Sequence, residues 1–106
     1  MDDLVTFLRV RLDEREEVAT QVAKGPVLLN LSRRTGKATF RRYLDTNTPE
    51  FILVDVDAKR QIIDELAPIA DGVITDAGEQ VVAENVLARL ALPYASHPDY
   101  RLEWKP

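Results

Sequence analysis

The chain is organised around one stretch, Thr48-Pro-Glu-Phe-Ile-Leu-Val-Asp-Val-Asp-Ala-Lys-Arg-Gln-Ile-Ile-Asp-Glu-Leu-Ala67. Thr48 suits an N-cap, and Pro49 suits the first helical position, where no N–H is required. Apolar residues recur every three or four positions, with the Lys59 stem filling a gap: Ile52, Val56, Ile63, Leu66 and Ala67. Because proline disrupts a helix, we expect Pro68 to end it. The stretch therefore predicts a central helix.

The first part of this stretch also fits a strand. Residues 51–57 alternate well enough for one, and the period alone cannot separate the two structures in a short apolar run. The helical spacing, however, continues through Lys59 to Leu66, which is longer than a usual strand. Length therefore favours the helix.

Composition indicates one soluble globular domain. The chain has 106 residues, of which 45% are hydrophobic and 30% are charged. It has no cysteine and one histidine, so disulfides, thiolate metal sites and His-pair metal sites are excluded. No apolar run approaches the ~20 residues of a membrane span, and the N-terminal sequence lacks the basic region of a signal peptide. We expect a cytoplasmic protein without metal, cofactor or membrane association.

The charge is unevenly distributed. The net charge is −4, yet residues 24–43 contain no acidic side chain. This basic segment carries six cations: Lys24, Arg33, Arg34, Lys37, Arg41 and Arg42. A basic segment in an acidic protein is the strongest charge asymmetry in the sequence.

Residues 2–23 predict the first helix. Asp2 and Asp3 complement its positive N-terminal end, and Gly25-Pro26 ends it. The expected buried stripe consists of Leu4, Phe7, Leu8, Leu12, Ala19 and Val22. The expected solvent face consists mostly of Arg9, Arg11, Asp13, Glu14, Arg15, Glu16 and Glu17.

Residues 27–44 predict a β-hairpin with strands at 27–32 and 37–44 and Gly36 in the turn. A loop of even length gives it one apolar face: Val27, Leu29, Leu31, Ala38 and Phe40. An isolated hairpin is marginal in water, so this face must pack on the helices or an edge must pair with another strand.

Residues 73–84 fit two structures. Asp76 with Glu79 resembles a capping box that opens a helix continuing to Leu92. The same residues also fit a short hairpin with Gly78 in the left-handed conformation. Residues 85–92 are helical in both cases, with Val86, Leu87, Leu90 and Ala91 inward and Arg89 outward. Pro93 is expected to disrupt this last helix.

The C-terminal segment 94–106 combines turn residues with large amphipathic side chains, Tyr94, His97, Tyr100 and Trp104. These anchors either fold back onto the core or reach onto a second copy, since tyrosine and tryptophan are favoured at interfaces. Together the elements predict an α+β domain: N-terminal helix, β-hairpin, central helix, C-terminal helix and an irregular aromatic tail.

Two end segments of the chain are distinctive. They are Asp3-Leu-Val-Thr-Phe-Leu-Arg-Val-Arg-Leu-Asp-Glu14 and Ala91-Leu-Pro-Tyr-Ala-Ser-His-Pro-Asp-Tyr100, the latter followed by Trp104. Both segments resemble a family of short uncharacterised proteins of actinobacteria and their phages. The middle segment 58–64 is similar to that family as well. The resemblance implies no activity. Many members of that family carry a cysteine cluster, suited to zinc, between the central and last helices, whereas residues 67–86 here have neither Cys nor His.

Two groups of residues are candidate sites. His97 with Asp99 could form a catalytic pair. The preferred interpretation is that both residues hydrogen-bond to backbone groups and so hold the tail in place. Arg33, Arg34, Lys37 and Arg41 on the hairpin could contact a protein partner, or the phosphates and base edges of a nucleic acid. The acidic pI of about 4.9 argues against nucleic acid.

These observations favour a non-enzymatic cytoplasmic interaction or regulatory protein that acts through protein–protein contacts and forms a homodimer. The alternative hypothesis is a nucleic-acid-binding accessory protein that uses the basic hairpin 27–44. No catalytic, cofactor-binding or metal-binding residue is predicted.

Overall fold

The computed structural model describes residues 2–24, 48–73 and 76–106. These residues form three α-helices, α1 (Asp2–Lys24), α2 (Pro49–Ala70) and α3 (Ala77–Ala91). Two short 3-10 helices follow in the C-terminal segment, at Leu92–Tyr94 and Leu102–Trp104. The described part of the chain contains no β-strand.

The predicted α+β class is wrong, because every regular element in the described ranges is helical. That prediction depended on the hairpin 27–44, which lies outside the described residues. Within those ranges the apolar side chains recur at helical spacing, so each helix buries one stripe of its own surface.

The start of α2 follows the predicted capping chemistry. The Thr48 hydroxyl accepts a hydrogen bond from the backbone N–H of Phe51 at 3.0 Å, and Pro49 is the first helical residue. This bond satisfies one of the amide donors that a helix leaves open at its N-terminus. Residues 51–57 are helical, so the helix prediction is confirmed and the competing strand is excluded.

The expected stop at Pro68 is wrong, since α2 continues through this proline to Ala70. Proline has no backbone N–H to donate within the helix, but the proline carbonyl can still accept a hydrogen bond. Here that carbonyl accepts from Val73 at 3.0 Å, while the Gly72 N–H donates to Ile69 at 3.1 Å. Gly72 has φ +75°, so this pattern is a Schellman motif with glycine in the left-handed position. Gly72, rather than Pro68, ends α2.

The start of α3 decides between the two structures that residues 73–84 allow. The Asp76 carboxylate accepts from the backbone N–H groups of Gly78 at 2.8 Å and Glu79 at 3.2 Å. Residues 77–84 are helical, so the capped helix is confirmed and the hairpin alternative is wrong. The α-helix ends at Ala91, and Pro93 lies in the 3-10 helix that follows.

The described residues group into two compact units, one from Met1–Arg11 with Lys59–Pro106 and one within Leu12–Ala58. The first unit has a core of large aliphatic and small side chains. The core residues are Leu4, Val5, Phe7, Leu8, Ile63, Ala67, Ala70, Ala83, Leu87, Ala88 and Ala91. The alanines come from α2 and α3, and their small side chains allow close packing. The α3 residues Val86 and Leu90, which were expected to face inward, are only half-buried.

The second unit buries Leu12 and Ala19 from α1 and Val56 from α2. An ion pair between Arg15 and Asp55 also lies within it. Val22 and Ile52, both expected to be buried, are half-buried. Among the described residues of this unit, four large apolar side chains are exposed: Val18, Phe51, Leu53 and Val54.

Over residues 2–24, 48–73 and 76–106, no helix has both the length and the apolar character that crossing a membrane requires. The cytoplasmic location stays a prediction.

Candidate protein-interaction site

The C-terminal segment is anchored on one residue of α1, Phe7. Four side chains surround its ring, with centroid distances of 6.3 Å to Tyr94, 5.6 Å to His97, 6.1 Å to Tyr100 and 5.1 Å to Trp104. Three of these contacts are edge-to-face, which is the arrangement that ring quadrupoles favour. Phe7 is only 6% exposed. All four predicted anchors therefore contact a residue of their own chain.

Arg11 joins this aromatic cluster one helical turn after Phe7. Its guanidinium lies 5.0 Å from the centre of the Phe7 ring, and an N–H of the same group donates to the His97 ring, close to both Nε2 and Nδ1. Arg11 was expected on the solvent face of α1, but it is 7% exposed. The i,i+4 spacing to Phe7 could have indicated this position, since such residues share a helix face.

His97 serves as an acceptor in this cluster. Its Nδ1 accepts from the backbone N–H of Asp99 at 3.0 Å, and the ring is also hydrogen-bonded to Arg11. The Asp99 carboxylate lies 4.0 Å from Nδ1, beyond hydrogen-bond distance. The backbone bond of Asp99, not its carboxylate, fixes the ring.

A second link ties the tail to α1. Arg101 donates to the Asp3 carboxylate at 2.8 Å and lies 5.5 Å from the centre of the Trp104 ring. A groove of about 520 Å³ runs between these residues and α1. The Tyr100 hydroxyl beside it is buried and has no hydrogen-bond partner among the described residues. The charged groups that line this groove are therefore largely engaged in holding the tail.

A different concavity lies between α2 and α3, and we call it the α2–α3 groove. Its volume is about 590 Å³. The lining residues are Leu66 and Ile69 of α2, and Asp76, Gly78, Glu79, Val82 and Ala83 at or near the start of α3. The Val82 side chain is 61% exposed at the rim. The groove is largely apolar, and its two carboxylates come from the capped end of α3.

Sequence analysis did not predict the α2–α3 groove. Leu66 was expected to be buried, but it is half-buried because it lines this open space. The signal that could have found the groove is Val82, an apolar residue one turn before Val86 and away from the buried side that Ala83 and Leu87 form. An apolar residue at such a position has no core to enter.

The predicted hairpin contacts, Arg33, Arg34, Lys37 and Arg41, lie outside the described residues. Within residues 2–24, 48–73 and 76–106, no group of three or more His, Cys, Asp or Glu side chains could hold a metal ion.

Comparison with known proteins places the chain in a family. The model of DUF6221, a family of unknown function, matches residues 1–106, so the chain belongs to that family. No curated protein and no solved structure matches the chain. The match agrees with the resemblance to an uncharacterised family, while the end motifs and the distribution in actinobacteria and phages stay predictions.

Proposed function

We propose that this member of DUF6221 is a non-enzymatic interaction or regulatory protein that acts through protein–protein contacts at the α2–α3 groove. The observation that carries the proposal is the groove itself. An open concavity of about 590 Å³ with a mostly apolar lining is a surface that another protein can cover. Covering it removes apolar area from water, at roughly 25 cal/mol per Å².

The exposure of single residues supports this assignment. Val82 is 61% exposed although it lies on a helix with a well-formed core face. Leu66 and Ile69 lie on the neighbouring helix and extend the apolar surface beside it. Contiguous apolar surface of this kind is typical of sites that bind protein segments, helices above all.

The tail supports the choice of the groove by contrast. Phe7 is already surrounded by four side chains of the same chain, Tyr94, His97, Tyr100 and Trp104. Part of the apolar surface of these four side chains is therefore already covered. A partner that bound these side chains would have to displace contacts that exist. The α2–α3 groove offers apolar surface without that cost.

Capture by an immobilised chain tests the proposal. Three baits are compared in lysate of the source organism: the native chain, Val82→Glu and Val81→Glu. Val81 is the matched control, because it is 55% exposed on the same helix but does not line the groove. Quantitative mass spectrometry then measures which proteins each bait retains, further copies of the chain included.

We expect the native and Val81→Glu baits to retain the same partner, and Val82→Glu to retain about tenfold less of it. An unpaired carboxylate in a covered apolar groove costs more than the ~1.4 kcal/mol that a tenfold change requires. Equal retention by all three baits would place the binding surface elsewhere. Circular dichroism of each variant confirms that helix content is unchanged.

The alternative function, a nucleic-acid-binding accessory protein, rests on the charge of residues 24–43 in the sequence. Its test is a titration of duplex DNA, given with the predictions below.

A further inference from the structure

We infer that the partner at the α2–α3 groove is a second copy of this chain, which docks its own α3 antiparallel to the first. The inference rests on the proposed function and names its partner. Three observations carry it: the residue pattern of the exposed face of α3, the position of the groove beside that face, and the charges at its two ends.

The exposed face of α3 carries the pattern Glu79, Val82, Val86, Arg89. These residues are three, four and three positions apart, so they lie along one face of the helix. Glu79 and Arg89 are exposed, Val82 is 61% exposed and Val86 is half-buried. We call this set the α3 stripe. It has an acid at one end, a base at the other and two valines between them.

The α3 stripe is complementary to itself. Its spacing reads the same in both directions, so a two-fold axis beside residue 84 pairs each member with another member of the stripe. Val82 of each copy then faces the second copy's Val86, and Glu79 of each copy faces the second copy's Arg89. A two-fold axis produces every contact twice, as is usual in homodimers. Two valine pairs at the centre are thus flanked by two ion pairs.

The α2–α3 groove enlarges this contact. Val82 forms part of its rim, with Leu66 and Ile69 of α2 on the other side. A second copy that lies along the stripe therefore also covers apolar surface of α2. The stripe itself spans eleven residues, or roughly 15 Å of helix from Glu79 to Arg89, which is a short interface. We expect a reversible dimer with a dissociation constant of about 1 to 100 μM.

The charges at the ends of the α3 stripe are available for such pairs. Neither Glu79 nor Arg89 forms an ion pair with another of the described residues. Each also complements the dipole of its own helix, because Glu79 is in the first turn and Arg89 is in the last. A test must therefore separate the loss of an intermolecular pair from the loss of this effect within the helix.

Reversing each charge singly, and then combining the two reversals, separates the two effects. Sedimentation velocity over about 1 to 200 μM compares the native chain, Glu79→Lys, Arg89→Glu, the double variant and an equimolar mixture of the two single variants. In either single variant both intermolecular pairs become repulsive, so the dimer should weaken by about tenfold. In the double variant and in the mixture every pair is again between opposite charges.

We expect dimerisation of the native chain, a dissociation constant about tenfold higher in each single variant, and recovery of the native value in both the double variant and the mixture. The double variant carries both losses of helix-dipole stabilisation, so its recovery cannot come from that effect. A native chain that stays monomeric over the whole range would overturn the inference. A dissociation constant that is unchanged in both single variants would overturn it too, because another surface would then be responsible.

Failure of this inference and failure of the proposed function give different results. If the chain is monomeric but the native bait captures another protein that the Val82→Glu bait does not, the groove binds a different partner and the proposed function stands. If the chain is monomeric and all three baits retain the same proteins, both are wrong.

Discussion

Replacing Phe7 with alanine removes the ring around which Tyr94, His97, Tyr100 and Trp104 are arranged. Truncation of a buried phenylalanine to alanine costs about 3–5 kcal/mol, and each aromatic pair contributes about 0.5–1.5 kcal/mol beyond burial. Since Phe7 is 6% exposed and contacts four rings, we expect a loss near the middle of that range, about 4 kcal/mol of unfolding free energy.

The chain supplies its own reporter for this loss. Trp104 is the only tryptophan, and its ring centroid lies 5.1 Å from that of Phe7. Urea unfolding followed by tryptophan fluorescence therefore measures stability and the environment of the tail together. In Phe7→Ala we expect red-shifted emission before the unfolding transition, and faster hydrogen exchange across residues 94–106, because the tail has lost its anchor.

Two further variants calibrate the result. Phe7→Leu keeps most of the apolar volume but removes the ring, so we expect it to cost about 1–2 kcal/mol. Val18→Ala changes a side chain of the same helix that is 62% exposed, and it should stay within about 0.5 kcal/mol of the native chain. A loss below about 1 kcal/mol in Phe7→Ala, with native emission of Trp104, would refute the anchoring of the tail.

Three other predictions concern separate parts of the chain. Gly72→Ala should lower the unfolding free energy by about 1 kcal/mol in thermal or urea unfolding, because φ at this position is +75°. The added Cβ meets only ordinary van der Waals contacts, so the loss comes from the backbone conformation. An unchanged stability would contradict the Schellman assignment. Tyr100→Phe should leave stability unchanged or raise it by up to about 1 kcal/mol, since the buried hydroxyl has no partner among the described residues; a loss above ~1 kcal/mol would reveal a hydrogen bond. Fluorescence anisotropy with labelled duplex DNA should show no binding at low salt. The nucleic-acid alternative would be favoured by binding that weakens steeply with salt and disappears when Arg33, Arg34 and Lys37 are changed to glutamine.

The helices were predictable because their signals are local. Thr48 followed by Pro49, and Asp76 followed by Glu79, are start signals whose hydrogen bonds involve residues no more than three positions away. The spacing of the apolar residues selected most of the buried stripe of α1 for the same reason. Such features depend on neighbours along the chain, so a sequence reveals them directly.

The errors come from contacts between distant residues. Arg11 was assigned to solvent because it is charged, yet it lies under the tail and bonds to His97, 86 positions later. The α2–α3 groove likewise depends on how Leu66 and Val82 are placed by two different helices. The expected helix end at Pro68 is an error of another kind: the proline was given more weight than the glycine four residues later, which ends the helix.

Disulfide trapping tests most directly the central claim that two copies meet along the α3 stripe. The chain has no cysteine, so Val82→Cys and Val86→Cys each introduce a single thiol. Since the proposed two-fold axis places residue 82 of one copy opposite residue 86 of the other, oxidation of an equimolar mixture should give mostly the mixed 82–86 disulfide dimer. Each variant alone, and Val81→Cys mixed with Val86→Cys, should cross-link far less. Equal cross-linking in all of these samples, or none in the first mixture, would contradict the claim.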